Sequence, residues 1–460
     1  MSKPSDQSYT LSDLEGLPPL HLHAAGLDIG ASEIYACVPS NRDQEPVRSF
    51  ATFTTCLHDL ADWLQACGIE TVAMESTGVY WIPIYEILEA RGLEVLLVQP
   101  RDLKHVAARK SDVSDCQWLQ RLHTYGLLRG SFRPSQEIAA LRSLVRHRET
   151  LTQDRARQIL HMQKALQLMN IQLNQVLSDI SGVTGMKILR AIVAGERDPH
   201  QLARYRDDAC KRSVETIEQA LTGHYQSEHI FVLRQALELY DFYDRQIQQC
   251  DLEIEQRYEQ ATPSEPDGHP PVRVPPQPGR RKPRKNQAHF DLTGALYRLV
   301  GVDLTRIDGF DALSAQKVIT EIGIDMSKWP AAKHFASWLR LAPNSRQSGG
   351  RLLSSHVPSS SNRANLAFRL AAQSLARSRS ALGAFYRRMR AKHGPGKAIV
   401  ATAHKLARTV YFMLKYRQDY HDPGPDDYEQ KYRDRLLRNL RRNATLLGYR
   451  LEPVLQTEVS

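Results

Sequence analysis

Residues 24 to about 128 switch repeatedly between two kinds of hydrophobic spacing. AAGLDIGASEIYACVPS reads as a strand, a turn and a second strand, and VRSFATFT, rich in β-branched and aromatic residues, reads as a third. LHDLADWLQAC has helical spacing. It is followed by a short apolar strand, TVAMES, a helix, YWIPIYEILEARG, and a strand, LEVLLVQP. Gly92 is a stop signal for the second helix. A last helix, SDCQWLQRLHTYGLL, closes the unit. Strands alternating with helices predict a layered α/β domain over 24–134, preceded by a polar segment, 1–23.

The pattern then changes. Residues 135–261 carry helical periodicity with almost no strand signal; Ile159, Met162, Leu166 and Met169 recur every three or four residues and share one helix face. Such a stripe is either core or a seam for a partner helix, and long helices here suit a coiled-coil-like dimer contact. Residues 262–290 predict a linker: eight of the 24 prolines lie between Pro263 and Pro283, followed by Arg280, Arg281, Lys282, Arg284 and Lys285. This is a solvated tether, or a tether whose cations follow a phosphate backbone. A second, mostly helical domain is expected over 291–418, then a polar tail, 419–460, with one helical stretch near Tyr428–Leu447.

Composition narrows the function classes. The 460 residues are 42% apolar and 24% charged, which suits a globular chain. No apolar run approaches the roughly 20 residues that span a bilayer, and the polar start lacks a secretory pattern. A cytoplasmic, nucleoid-associated protein is expected. The net charge of +10 favours a polyanionic partner, though solubility alone also accounts for it. The six cysteines form no C-x-x-C pair, which argues against zinc and against a disulfide framework.

Four acids stand out. Asp28 lies in the apolar strand AAGLDIG, where an ionised carboxylate is costly unless a cation or several donors satisfy it. Gly26 and Gly30 beside it let a backbone or a ligand approach closely. Glu75 ends TVAME before a Ser-Thr-Gly turn. Asp112 and Asp115, in KSDVSD, are three apart at a helix start and share a face. Singly, each reads as a turn or cap residue. Together they read as a cluster that repels itself without hard cations, Mg²⁺ or Mn²⁺. Two such ions about 4 Å apart serve phosphoryl transfer.

LDIG, ESTG and KSDVSD, in this order within about ninety residues, resemble the RuvC-like domain of the DEDD transposases of insertion-sequence family one-ten. That family includes Piv-type DNA invertases and bridge-RNA-guided recombinases. The resemblance implies an RNase H-like fold and a metal-binding catalytic set of Asp28, Glu75, Asp112 and Asp115. RIDGFDALSAQKVITEIG resembles the helix-hairpin-helix-like start of the family's C-terminal transposase domain. Here Asp308 and Asp311 stand where the family usually has a proline and a second glycine. FASWLRLAPNSRQSGGR resembles the family's A-G-L-x-P stretch and the Ser-Gly loop after it, which puts the nucleophilic serine at Ser348. Arg346 and Arg351 are then candidates for holding phosphate oxygens. Lys397, Lys405 and Arg408, in a segment similar to the family's closing helix, are candidates for nucleic-acid backbone contact or a solvated helix face.

The resemblance implies strand cleavage and exchange on donor and target duplex DNA through a phosphoserine link, without a nucleotide cofactor. It further implies dimers assembling to a tetramer, with acids from one subunit and serine from another, and a structured guide RNA. Two alternatives remain open: a RuvC-like nuclease that cuts branched DNA with water, and a non-catalytic nucleic-acid-binding scaffold.

Overall fold

The structure is a computed structural model that describes residues 18–76, 78–99, 112–208, 210–261, 285–360 and 362–452. It divides into two compact units, 1–133 and 134–460.

The first unit is built on one five-stranded sheet. The strands are β1 (Ala24–Ile29), β2 (Glu33–Cys37), β3 (Val47–Ala51), β4 (Thr71–Glu75) and β5 (Glu94–Val98), in the order β3-β2-β1-β4-β5. β1, β4 and β5 pair in parallel, and β2 pairs antiparallel with both β1 and β3, so β2 alone runs against the other four strands. Three helices accompany them: α1 (Thr54–Ala66), α2 (Trp81–Ala90) and α3 (Asp112–Thr124). Every strand and helix that the spacing predicts between 24 and 128 is present.

The alternation along β1 and β4 sorts the layers. Ala25, Leu27, Ile29, Val72 and Met74 pack with Leu57, Leu60 and Leu64 of α1 and with Ile84 and Leu88 of α2. The opposite face belongs to α3: Ala73 and Val98 meet Leu119, and the hydroxyl of Thr71 lies 2.8 Å from Nε2 of the buried His123. The result is a three-layer mixed α/β sandwich.

Most of the second unit is helical. α4 (Gln136–Leu168) and α9 (Ser227–Ala261) form an antiparallel pair, fastened by ion pairs of Arg148 with Asp251 and Arg155 with Asp244. Between them come α5 (Leu173–Val176), α6 (Val183–Ala194), α7 (Pro199–Ala203) and α8 (Val214–Leu221). Met162, Leu166 and Met169 are fully buried among the residues of these short helices, and Ile159 packs beside them. The predicted stripe is therefore used as core inside one chain.

Of the proline-rich stretch, residues 262–284 lie outside the described residues, and with them Arg280, Arg281, Lys282 and Arg284. Its end is tightly held. Lys285 pairs with Asp179, Arg148 donates to the carbonyls of Asn286 and Gln287, and the buried Asp251 accepts from His289.

The rest of the unit holds α10 (Leu292–Val300), α11 (Ala312–Ile322), α12 (Ala332–Trp338), α13 (Arg363–Ser374), α14 (Ala381–His393), α15 (Pro395–Tyr416) and α16 (Gly424–Leu446). It also holds a two-stranded ribbon of β6 (Asn344–Ser348) and β7 (Arg351–His356), where the resemblance leads one to expect a Ser-Gly loop. Glu321 on α11 pairs with Arg146, and Glu149 with Lys317 and Arg363, which ties the start of α4 to this helical body. No described helix is long and apolar enough to cross a membrane.

Candidate active site

Asp28 is the fifth residue of β1 and Glu75 the last of β4. Leu27 of β1 is registered with Met74 of β4, so the next residues along, Asp28 and Glu75, end neighbouring parallel strands side by side. Both alternate away from the large apolar core and toward the face that α3 covers.

The direction of α3 follows from three contacts. Its last residue, Thr124, accepts hydrogen bonds from the amides of Leu20 and His21, ahead of β1. Gln120 donates to the carbonyl of Ala24. Cys116 lies over Gly26, where an added Cβ would stand only 2.4 Å from the Cys116 carbonyl oxygen and 2.4 Å from the Gln120 nitrogen. α3 thus runs antiparallel to β1, and its first turn, with Asp112 and Asp115, lies at the sheet end that bears Asp28 and Glu75. Gly26 is the residue that lets it lie so close; the backbone that the glycine admits is that of α3.

Asp28, Glu75 and Asp115 are half-buried. The side chain of Asp112 lies outside the described residues, as do Lys110, Ser111 and Thr77 of the two sequence motifs. The Cys116 thiol is pushed well up by its hydrogen bond with Cys37 and by burial, with the Cys37 and Asp28 charges adding to the shift. This places the Asp28 carboxylate within electrostatic reach of the first turns of α3. Among the described residues no three His, Cys, Asp or Glu side chains gather as a metal site. What the structure brings together is the backbone positions of all four acids, on two strand ends and one helix start.

Ser348 belongs to the second unit. It is the last residue of β6, registered with Arg351, and Gly349 and Gly350 turn the chain between them with φ of 54° and 74°. A two-residue turn with both central φ angles positive matches the right-handed twist of a ribbon and favours glycine at both positions. Ser348 and Arg351 are exposed, and every residue of β7 is exposed. The side chain of Arg346 lies outside the described residues; the ribbon's register shifts between it and Gln347. At the ribbon's neck Arg340 donates to the Ser359 carbonyl, and the buried Asn365 donates to that of Leu339.

The preceding turn is built for packing. Gly309, at φ 92°, sits against the Ala371 carbonyl. Asp311 caps α11 through the Ser314 amide, and Asp308 accepts from the Ser378 hydroxyl. Further along, Lys397 and Arg408 are exposed on α15, whereas the Lys405 ammonium lies over the rings of Phe385 and Tyr428.

Comparison with known families bears on both halves of this arrangement. Residues 25–171 match the DEDD transposase family of the IS110 type, described as "Transposase". Residues 303–387 match the family described as "Transposase IS116/IS110/IS902 family". The chain belongs to the IS110-type DEDD transposases. No curated protein matches it. In this transposase the two matches enclose the residues singled out above from Asp28 to Asp115, and Ser348. They leave α5–α10 and α15–α16 outside. The ribbon and the tight seat of α3 on Gly26 were not read from the sequence. The Gly-Gly pair, two residues that both tolerate positive φ, was the signal for the first.

Proposed function

We propose that this transposase cuts and rejoins DNA by phosphoryl transfer to Ser348, on an RNase H-like first domain. The observation that carries the reading is the convergence of Asp28, Glu75 and the first turn of α3 at one end of the sheet. The strand order β3-β2-β1-β4-β5, with only β2 antiparallel to the other four strands, supports the fold assignment.

The four carboxylates are an all-oxygen donor set, the type that selects Mg²⁺ or Mn²⁺. A bound ion there would offset the charge that develops on a reacting phosphate. The seryl Oγ forms a bond to phosphorus as the bond from phosphorus to a sugar oxygen breaks. The freed sugar hydroxyl takes up a proton. The same hydroxyl on a second DNA later attacks phosphoserine and restores the serine. Phosphodiester energy is conserved, so no nucleotide is consumed. Ser348, at the tip of a ribbon with open space around Gly349 and Gly350, can approach a duplex backbone without a clash from its own chain. Arg351 beside it, with Arg346, would hold phosphate oxygens. We further propose a structured guide RNA, and dimers that assemble to a tetramer in which one subunit's serine serves another's acids.

The test is to incubate the protein with its element's DNA and Mg²⁺, denature, and look for protein-linked DNA. Ser348→Ala should abolish the adduct while binding persists. An adduct that survives the substitution overturns the serine assignment. Full cleavage by the wild-type protein without any adduct overturns the phosphoserine route in favour of hydrolysis.

A further inference from the structure

α16 lies outside both family matches and carries an unusual charge pattern. Between residues 431 and 450 there are seven Lys or Arg and one acid, Asp434. Lys431, Arg435, Arg438 and Arg442 follow one another at spacings of four, three and four. That spacing puts them on one face, over about 16 Å of helix axis. All four are exposed. The other acids of α16 are gathered in its first two turns, where Glu429 pairs with Arg388, and Asp427 with Lys431.

The stripe continues onto α15. The Lys405 ammonium sits 4.8 Å from the Phe385 ring and 5.3 Å from the Tyr428 ring. Burial lowers its proton affinity, and so do Arg435 and then Arg408, against the opposing pull of Asp422. Arg435 is therefore close to Lys405, and Arg408 is exposed one turn along α15. The rings of Phe385 and Tyr428, rather than an ion-paired carboxylate, seat the Lys405 ammonium beside these arginines. Cations gathered in this way repel one another, and a polyanion relieves the repulsion while releasing its own counterions.

We propose that the basic face of α16, with Arg408 of α15, is a binding surface for the phosphate backbone of duplex DNA. It is separate from the sheet-end acids and takes hold without reading sequence. A straight row of cations along one helix face suits a regular run of phosphates. Leu436, Leu440 and Leu447 lie on the other side of the helix and take no part. The inference rests on the reading of the chain as a DNA-handling enzyme.

The test uses the full-length protein, a 30-base-pair duplex of arbitrary sequence labelled with a fluorophore, and anisotropy over a series of salt concentrations. The variant combines Arg435→Gln, Arg438→Gln and Arg442→Gln, since glutamine keeps helix propensity. The plot of log affinity against log salt should become shallower by about 2 to 3, near 0.9 for each phosphate released. Binding at 0.15 M salt should weaken by roughly 100-fold on the same basis. A second variant, Leu436→Ser with Leu440→Ser, should keep the wild-type slope. An unchanged slope in the arginine variant overturns the proposal and leaves the transposase reading standing. An equal loss in the leucine variant also overturns it, because the effect then follows helix integrity rather than charge. A change seen with an RNA hairpin but not with the duplex overturns the choice of DNA. Wild-type protein that binds no duplex at all overturns both readings.

Discussion

The sheet end that bears the acids and the ribbon that bears Ser348 are built on opposite plans. Asp28, one residue from the end of β1, and Glu75, the last of β4, sit in strands whose other residues are buried, and α3 is seated on Gly26 of β1 with no room to spare. Ser348 ends a strand of a two-stranded ribbon whose side chains are exposed where described, held at its neck by Arg340 and Asn365. The first plan fixes charge in place, so the proposed ligand set, which would depend on a few tenths of an ångström, inherits the rigidity of a packed core. The second presents the proposed nucleophile at a tip, supported by ribbon pairing and by the contacts at the ribbon's neck. The same kind of substitution should therefore have different consequences in the two places.

The largest effect is expected at Gly26. A side chain there meets backbone atoms of α3, which cannot rotate aside as a side-chain tip would. Gly26→Val should destabilise the first unit by about 3 kcal/mol or more, at the upper end of overpacking costs. It should also displace the helix that carries Asp112 and Asp115. Thermal unfolding and Mg²⁺-dependent adduct formation should both fall in this variant. Normal stability in Gly26→Val would show that α3 is not seated as described.

This seat also marks the limit of what the sequence made legible. Alternating apolar residues in AAGLDI and TVAME sufficed to expect strands, and the acid spacings sufficed to expect a cluster. Nothing in a linear pattern says which face of β1 a later helix covers. Gly26 showed only that something approaches. The ribbon was hidden for a different reason: NSRQSGGRLLSSH has no apolar alternation, because neither face of it meets a core. The arginine stripe of α16 lay in plain view in the tail, but its link to Lys405 of α15 is a tertiary contact.

A smaller effect, again on the packed side, comes from His123. Burial, and then the neighbouring His21 charge, hold its pKa down at about 4, against 6.5 for a free histidine. The folded state thus keeps the ring neutral where the unfolded chain would already bind a proton. Stability is complete above pH 6.5 and is lost as pH falls toward about 4. The loss amounts to about 3 kcal/mol. Below pH 4 both states are protonated and this contribution no longer changes. His123→Gln should flatten the dependence of unfolding free energy on pH in that window. An unaltered slope would mean that His123 is protonated in the folded unit.

The smallest effect on stability, and the sharpest contrast with Gly26, is expected at the ribbon turn. Nothing lies within 4 Å of a Cβ built on Gly349 or Gly350, so alanine meets no obstacle there except its own backbone at φ 54° or 74°. That conformation costs alanine about 1 kcal/mol, and asparagine less. Because the ribbon is not part of a core, the cost falls on the turn and not on the folding of the unit. Gly350→Ala should leave the melting temperature unchanged and reduce adduct formation about 5-fold, the rate equivalent of about 1 kcal/mol. Gly350→Asn should recover most of that loss. Gly26→Ala, the same one-carbon change, should do the reverse and lower the melting temperature before anything else. If both alanine variants lowered stability alike, the ribbon would be part of the packed body. The distinction between a fixed set of acids and a presented serine would then fail.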